Sequence, residues 1–172
     1  MTTLVAFTIV RIAAGTTVAA HGAQKAFGWW GGPGPDRWIQ TATRLGFRTP
    51  KPFAIAAAIA ELAGGLALAL GFLTPLTAAA VATVMLVAIA KVHWTKGFFA
   101  TVGGFELPLL LFTIAAMNGL AGPGPYSIDA WAGLPTAPPL FVALTGISFA
   151  VALYASRRVP AKPDVGARPH AA

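Results

Sequence analysis

The fold is decided by residues 52–94, PFAIAAAIAELAGGLALALGFLTPLTAAAVATVMLVAIAKVHW. This stretch holds two apolar runs, 52–72 and 75–94, separated only by Leu73 and Thr74 before Pro75. A helix needs roughly 20 mostly apolar residues, at about 1.5 Å rise each, to cross a hydrocarbon core of about 30 Å. Both runs are that long, and a link so short forces the two helices to lie side by side and antiparallel.

Three further runs of the same kind, about 3–27, 98–120 and 138–155, make five expected spans. The chain therefore reads as all-α, a polytopic transmembrane bundle over residues 1–156 with a tail at 157–172. Composition agrees: 56% of the 172 residues are hydrophobic and 10% charged, against about a quarter charged in soluble domains. The 19 glycines and 14 prolines do not signal disorder, because large aliphatic side chains are abundant. Only the Pro- and Ala-rich basic tail is expected to be disordered. With no cysteine, disulfides, thiol catalysis, Cys-ligated zinc and Cys-ligated iron–sulfur clusters are excluded. The first apolar run lacks a positive n-region and is interrupted by Arg11, so it reads as an uncleaved span.

Five spans place eleven of the 12 basic residues on one side: Lys25, the loop residues Arg37, Arg44, Arg48 and Lys51, Lys91 and Lys96, and the tail. By the positive-inside rule the N-terminus is outside and the C-terminus cytoplasmic. The net charge of +7 then marks flanks beside anionic lipid; no basic stripe interleaved with aromatics suggests nucleic acid. Trp29, Trp30, Trp38 and Trp94 fall at span ends or in inner loops, as interfacial anchors do. A short interfacial helix is expected at about 35–45, with Trp38, Ile39 and Leu45 facing lipid.

The informative residues are charges inside apolar runs. Arg11 lies in the outer half of the first span, Glu61 near the middle of the second, and Glu106 about a third of the way into the fourth. A charge at such depth costs about 2.5–3.5 kcal/mol on insertion scales, so each should face the bundle interior and find a partner. At about 100° per residue, Arg11, Gly15, His21, Gly22 and Lys25 share one stripe of the first helix, where glycine admits a close neighbour. Depth suggests pairing Arg11 with Glu61, and Glu106 with Lys25 or His93.

Such a cluster either fixes helix register or marks a proton, ion or ligand path. His21 and His93 carry imidazoles, the side chain suited to donating protons to a bound quinone. No metal-ligand spacing is present, so no metal is assigned. The runs 31–35 and 122–125 lack the Gly-Lys-Ser/Thr ending of a phosphate loop and read as turns.

Taken in order, Arg11, Gly15, His21-Gly22-x-x-Lys25, Glu61 with Gly64-Gly65 and Leu70-Gly71, His93 with Gly97-Phe98-Phe99 and Gly104-x-Glu106, and Gly122-Pro123-Gly124 leading to Ser127-x-Asp129 resemble the DoxX family of small bacterial membrane proteins, over about residues 4–130. The resemblance implies a four-helix membrane core, to which this chain adds a fifth C-terminal span, in a bacterial plasma membrane. It also implies a link to quinone or sulfur redox chemistry and oxidative stress, through kinship with the small DoxD-type subunit of thiosulfate:quinone oxidoreductase. The polar positions of the family map onto Arg11, His21, Lys25, Glu61, His93, Glu106 and Asp129; Asp129 lies outside the membrane, where an Asx turn or helix cap is its simplest role. The expectation is a partner-dependent redox subunit, with quinone the candidate cofactor. Besides membrane lipid, the candidate partners are soluble oxidoreductases, a second membrane subunit and further copies of the chain. The competing expectation is a carrier or scaffold whose buried charges bind a small solute or only hold the bundle together.

Overall fold

The structure, a computed structural model, describes residues 2–157; the remainder of the expected disordered tail lies outside the described residues. Among the described residues seven α-helices follow in chain order: α1 (Thr2–Phe27), α2 (Gly34–Arg44), α3 (Pro50–Leu70), α4 (Thr74–Ala88), α5 (Glu106–Ala121), α6 (Ile128–Trp131) and α7 (Pro138–Ala155). No strand occurs among the described residues.

The boundaries follow local chemistry. α3 opens on Pro50 and Pro52 and α7 on Pro138 and Pro139, positions where a missing N–H costs nothing. α3 stops at Gly71, which takes a left-handed conformation (φ 64°). There the Gly71 N–H donates to Leu68 O at 3.0 Å and the Phe72 N–H to Ala67 O at 2.9 Å, a Schellman closure. The reversal into α4 follows at once, so α3 and α4 form the antiparallel hairpin that residues 52–94 predict.

α1 and α3 are the most closely fitted pair. A Cβ on Gly15 would fall 2.6 Å from Ala69 N, one on Gly65 2.6 Å from Ala19 N, and one on Gly22 2.3 Å from Leu62 N. Backbone therefore meets backbone, the contact small residues permit where lipid provides no hydrophobic drive for association. Positions rise along α1 as they fall along α3, so the two are antiparallel. The core is built from small and medium side chains of five helices, Ala14, Val18, Leu68, Ala78, Val81, Ala82, Met85, Leu111, Ala115 and Phe141 among them. α7 packs on α4 and α5, its Phe141 ring lying over Gly119, where a Cβ would come within 2.3 Å.

Two expectations change. The fourth apolar run is helical only from Glu106, not from residue 98. Residues 97–105 instead fold into a loop, with Gly97 and Gly103 at positive φ, Gly104 against the Gly97 carbonyl and Trp94 stacked on Phe105 at 5.4 Å. α5 is accordingly short at 16 residues, while four helices, counting α4 continued to Lys96, are long and apolar enough to cross a bilayer. The expected interfacial helix is α2, but Trp38 does not face lipid. Its indole Nε1 donates to Ala54 O at 2.9 Å, which ties α2 onto α3.

Candidate functional site

Polar side chains gather at the two ends of the bundle. The first group is built on the α3–α4 turn. Arg11, 1% exposed, donates from Nε to Ala69 O at 3.2 Å, from Nη2 to Tyr126 O at 2.7 Å and from Nη1 to Pro123 O. Asp129 accepts from Leu73 N at 2.7 Å and from Thr74 N at 2.8 Å, and its own N–H donates to Gly71 O at 2.9 Å. Its carboxylate thus caps the N-terminus of α4, where free N–H groups and the helix dipole favour an anion. Gly71 has no room for a side chain, since a Cβ would lie 2.5 Å from Ser127 Cβ and 3.0 Å from Arg11 Nη1. Charge-assisted hydrogen bonds of this kind are worth about 1.5–3 kcal/mol each. The group clamps α1, the α3–α4 turn and the 122–131 segment together.

The second group sits at the other end. Lys25 Nζ forms an ion pair with Glu61 Oε1, and lies 4.3 Å above the Trp38 ring. Glu61 is 2% exposed and Lys25 17%. The second carboxylate oxygen, Glu61 Oε2, is buried and has no hydrogen-bond partner among the described residues. The pair opens onto a cavity of about 210 Å³ that His21 and His93 also line, with Met85 and Leu111 among its apolar residues. His93 is carried by a single π-helical turn, Ile89–His93, that continues α4; such turns recur at functional sites. Its Nδ1 is 2.6 Å from Gly103 O. Because a carbonyl only accepts, that contact places a proton on Nδ1 and leaves Nε2 free of this hydrogen bond.

The structure brings His21, Lys25, Glu61 and His93 together and sets Arg11 and Asp129 apart from them. The expected pairing of Arg11 with Glu61 is therefore corrected. The α1–α3 register puts Arg11 beside Ala69 and Glu61 beside Gly22, and the 11 residues from Arg11 to Gly22 amount to roughly 16 Å of helix rise. The expected pairing of Glu106 with Lys25 or His93 also fails. Glu106 is exposed in the first turn of α5, and its Oε2 accepts from Ala100 N at 2.9 Å, bracing the 97–105 loop. Asp129 has the expected capping role, although the helix it caps is α4, 55 positions earlier for Thr74. Trp38 is the residue that sequence reasoning read only as an anchor; the apolar face of an amphipathic α2 was the available signal. Among the described residues, no three or more of His, Cys, Asp or Glu cluster in a way that could hold a metal ion.

A bundle of long apolar helices with a buried ion pair and a carboxylate-capped turn defines a polytopic α-helical membrane protein. The DoxX family model matches residues 6–94, which contain most of α1, all of α2 to α4 and every cavity-lining polar residue named above, and the chain belongs to the DoxX family. No curated protein and no solved structure matches it.

Proposed function

We propose that this chain is a partner-dependent redox subunit of the bacterial plasma membrane, binding a quinone head group at the Lys25–Glu61 cavity. The observation that carries the reading is Glu61 Oε2, a buried acceptor without a protein partner beside a lysine and two histidines. Leaving such an acceptor unmet costs about 1–3 kcal/mol, so a ligand that donates there is favoured. The pair is neutral as a whole, which suits a neutral carbonyl or hydroxyl better than an anion. The residues present fit a quinone: Lys25 and a histidine N–H supply donors to carbonyl oxygens, and Glu61 Oε2 accepts from the hydroxyl of the reduced form. A bound quinone would supply two-electron, two-proton redox chemistry.

The chain's own contribution is to position and to move protons. Lys25 is held by Glu61 and Trp38, so its remaining N–H donors are restricted in direction. His93 is oriented through Nδ1 by Gly103 O, and His21 offers a second imidazole on the same cavity. Imidazoles exchange protons near neutral pH. Electrons must come from elsewhere, because the chain has no cysteine and supplies no redox centre from its own side chains. A soluble oxidoreductase docked on the basic inner end, a second membrane subunit or another copy of the chain would fill that role. The orientation that puts this end in the cytoplasm, N-terminus outside and C-terminus inside, follows from the positive-inside rule.

The test is to purify the protein in mild detergent, extract the lipid and assay quinone. Near-stoichiometric quinone, reduced several-fold in Glu61→Gln, is the expected result; equal amounts in the wild type and variant would overturn the reading. The carrier alternative predicts solute uptake into proteoliposomes that Glu61→Gln abolishes.

A further inference from the structure

Lys25 borders a second space. Between α3 and α7, over α4, lies an apolar groove of about 410 Å³ that shares Lys25 and Trp38 with the polar region around the ion pair. Volumes of about 300–1,000 Å³ with apolar walls and a few polar groups are typical of small-ligand sites. The groove exists because the α3 wall is made of alanines, Ala57 and Ala60 among them, and because α7 packs on α4 and α5 and leaves the α3 side open. Its inner end is closed by Phe47 and Phe53, stacked at 4.7 Å. Along α7 its rim is Ile147 and Val151, which are 64% and 54% exposed. On a membrane-spanning helix those exposed side chains face lipid, so the mouth of the groove is lateral.

We propose that this groove holds the isoprenoid tail of the quinone whose head group meets Lys25 and Glu61, and that the ligand enters sideways from the bilayer between α3 and α7. The inference rests on the quinone reading for the identity of the head, and on the groove alone for the tail. Three observations carry it. Groove and cavity share Lys25 and Ala88 in their walls, so head and tail sites adjoin. The Lys25–Glu61 pair carries no net charge at the junction, which disfavours a phospholipid with an anionic head. The α7 wall, Ile147 and Val151 included, lies outside the family match at residues 6–94, so this side of the groove is set by residues beyond the matched segment.

The experiment measures equilibrium binding to the full chain in micelles, using a tail-less benzoquinone, the same ring with a multi-isoprene tail, and a long-chain alcohol that has a neutral head but no quinone. The variants are Ile147→Trp on the exposed α7 rim and Ala80→Phe on the α4 floor. Ile9→Trp, on the exposed face of α1, is the control. Because both tail and surroundings are apolar, the discrimination comes from packing, and a preference of about tenfold for the tailed quinone is expected. Both groove variants should lower the tailed affinity to that of the tail-less ring, leaving tail-less binding and the Ile9→Trp control unchanged. A tail preference that survives both substitutions, no tail preference in the wild type, or failure of both tailed probes to bind would overturn the groove. Binding of the alcohol that Ile147→Trp abolishes, with neither quinone bound, would overturn the quinone reading and leave the groove standing as a chain-binding site.

Discussion

Replacing Lys25 by methionine keeps most of the side-chain volume and removes the charge, leaving the carboxylate of Glu61, 2% exposed, without its partner. Breaking a buried ion pair from one side costs about 3–5 kcal/mol, whereas replacing both members by apolar groups of similar volume is often neutral. Lys25 is itself 17% exposed, so water reaches the site and the loss should lie near 3 kcal/mol, at the lower end of that range. Lys25→Met combined with Glu61→Leu should recover most of it. The assay is unfolding of the purified protein by titration with a denaturing detergent in mixed micelles, followed by tryptophan fluorescence and circular dichroism. Arg11→Met provides the comparison: it should be destabilising by itself, yet additive with Glu61→Leu to within about 0.5 kcal/mol, as expected of sites that share no partner. A Lys25–Glu61 coupling below about 0.5 kcal/mol, or a larger coupling between Arg11 and Glu61, would refute the register on which the site is built.

Gly22→Ala should cost about 1–3 kcal/mol through overpacking, since its Cβ would meet the α3 backbone at 2.3 Å. The control Gly146→Ala, with nothing within 4 Å, should gain about 0.5–1 kcal/mol from helix propensity; the same detergent titration reads both. Asp129→Ala should cost about 1–3 kcal/mol by uncapping α4, with faster hydrogen exchange at Leu73 and Thr74 and a smaller effect for Asp129→Asn. Glu106→Gln should change stability by less than about 0.5 kcal/mol, because Glu106 is exposed and an amide oxygen can still accept from Ala100 N; a loss as large as that of Lys25→Met would return Glu106 to the bundle interior.

Sequence alone was enough to establish an all-α bundle, because residues 52–94 leave no solvent but lipid and no geometry but an antiparallel hairpin. Its periodicity also put Gly15, Gly22 and Lys25 on one stripe of α1, and at both glycines the α3 backbone comes close. The pairing of charges was beyond its reach. Depth along a span is blurred by several residues at each end, while an ion pair depends on register, and register is fixed by which glycine meets which backbone. The sliding scale of hydropathy likewise read 98–120 as one span, although Gly97, Gly103 and Gly104 let the chain fold back and start α5 at Glu106. Only tertiary structure separated Arg11, satisfied by carbonyls and serving as a clamp, from Glu61, whose second oxygen has no hydrogen-bond partner among the described residues. The physical reason is that composition and periodicity report how each segment meets its solvent, whereas the fate of a single buried oxygen is decided by atoms far apart in the sequence.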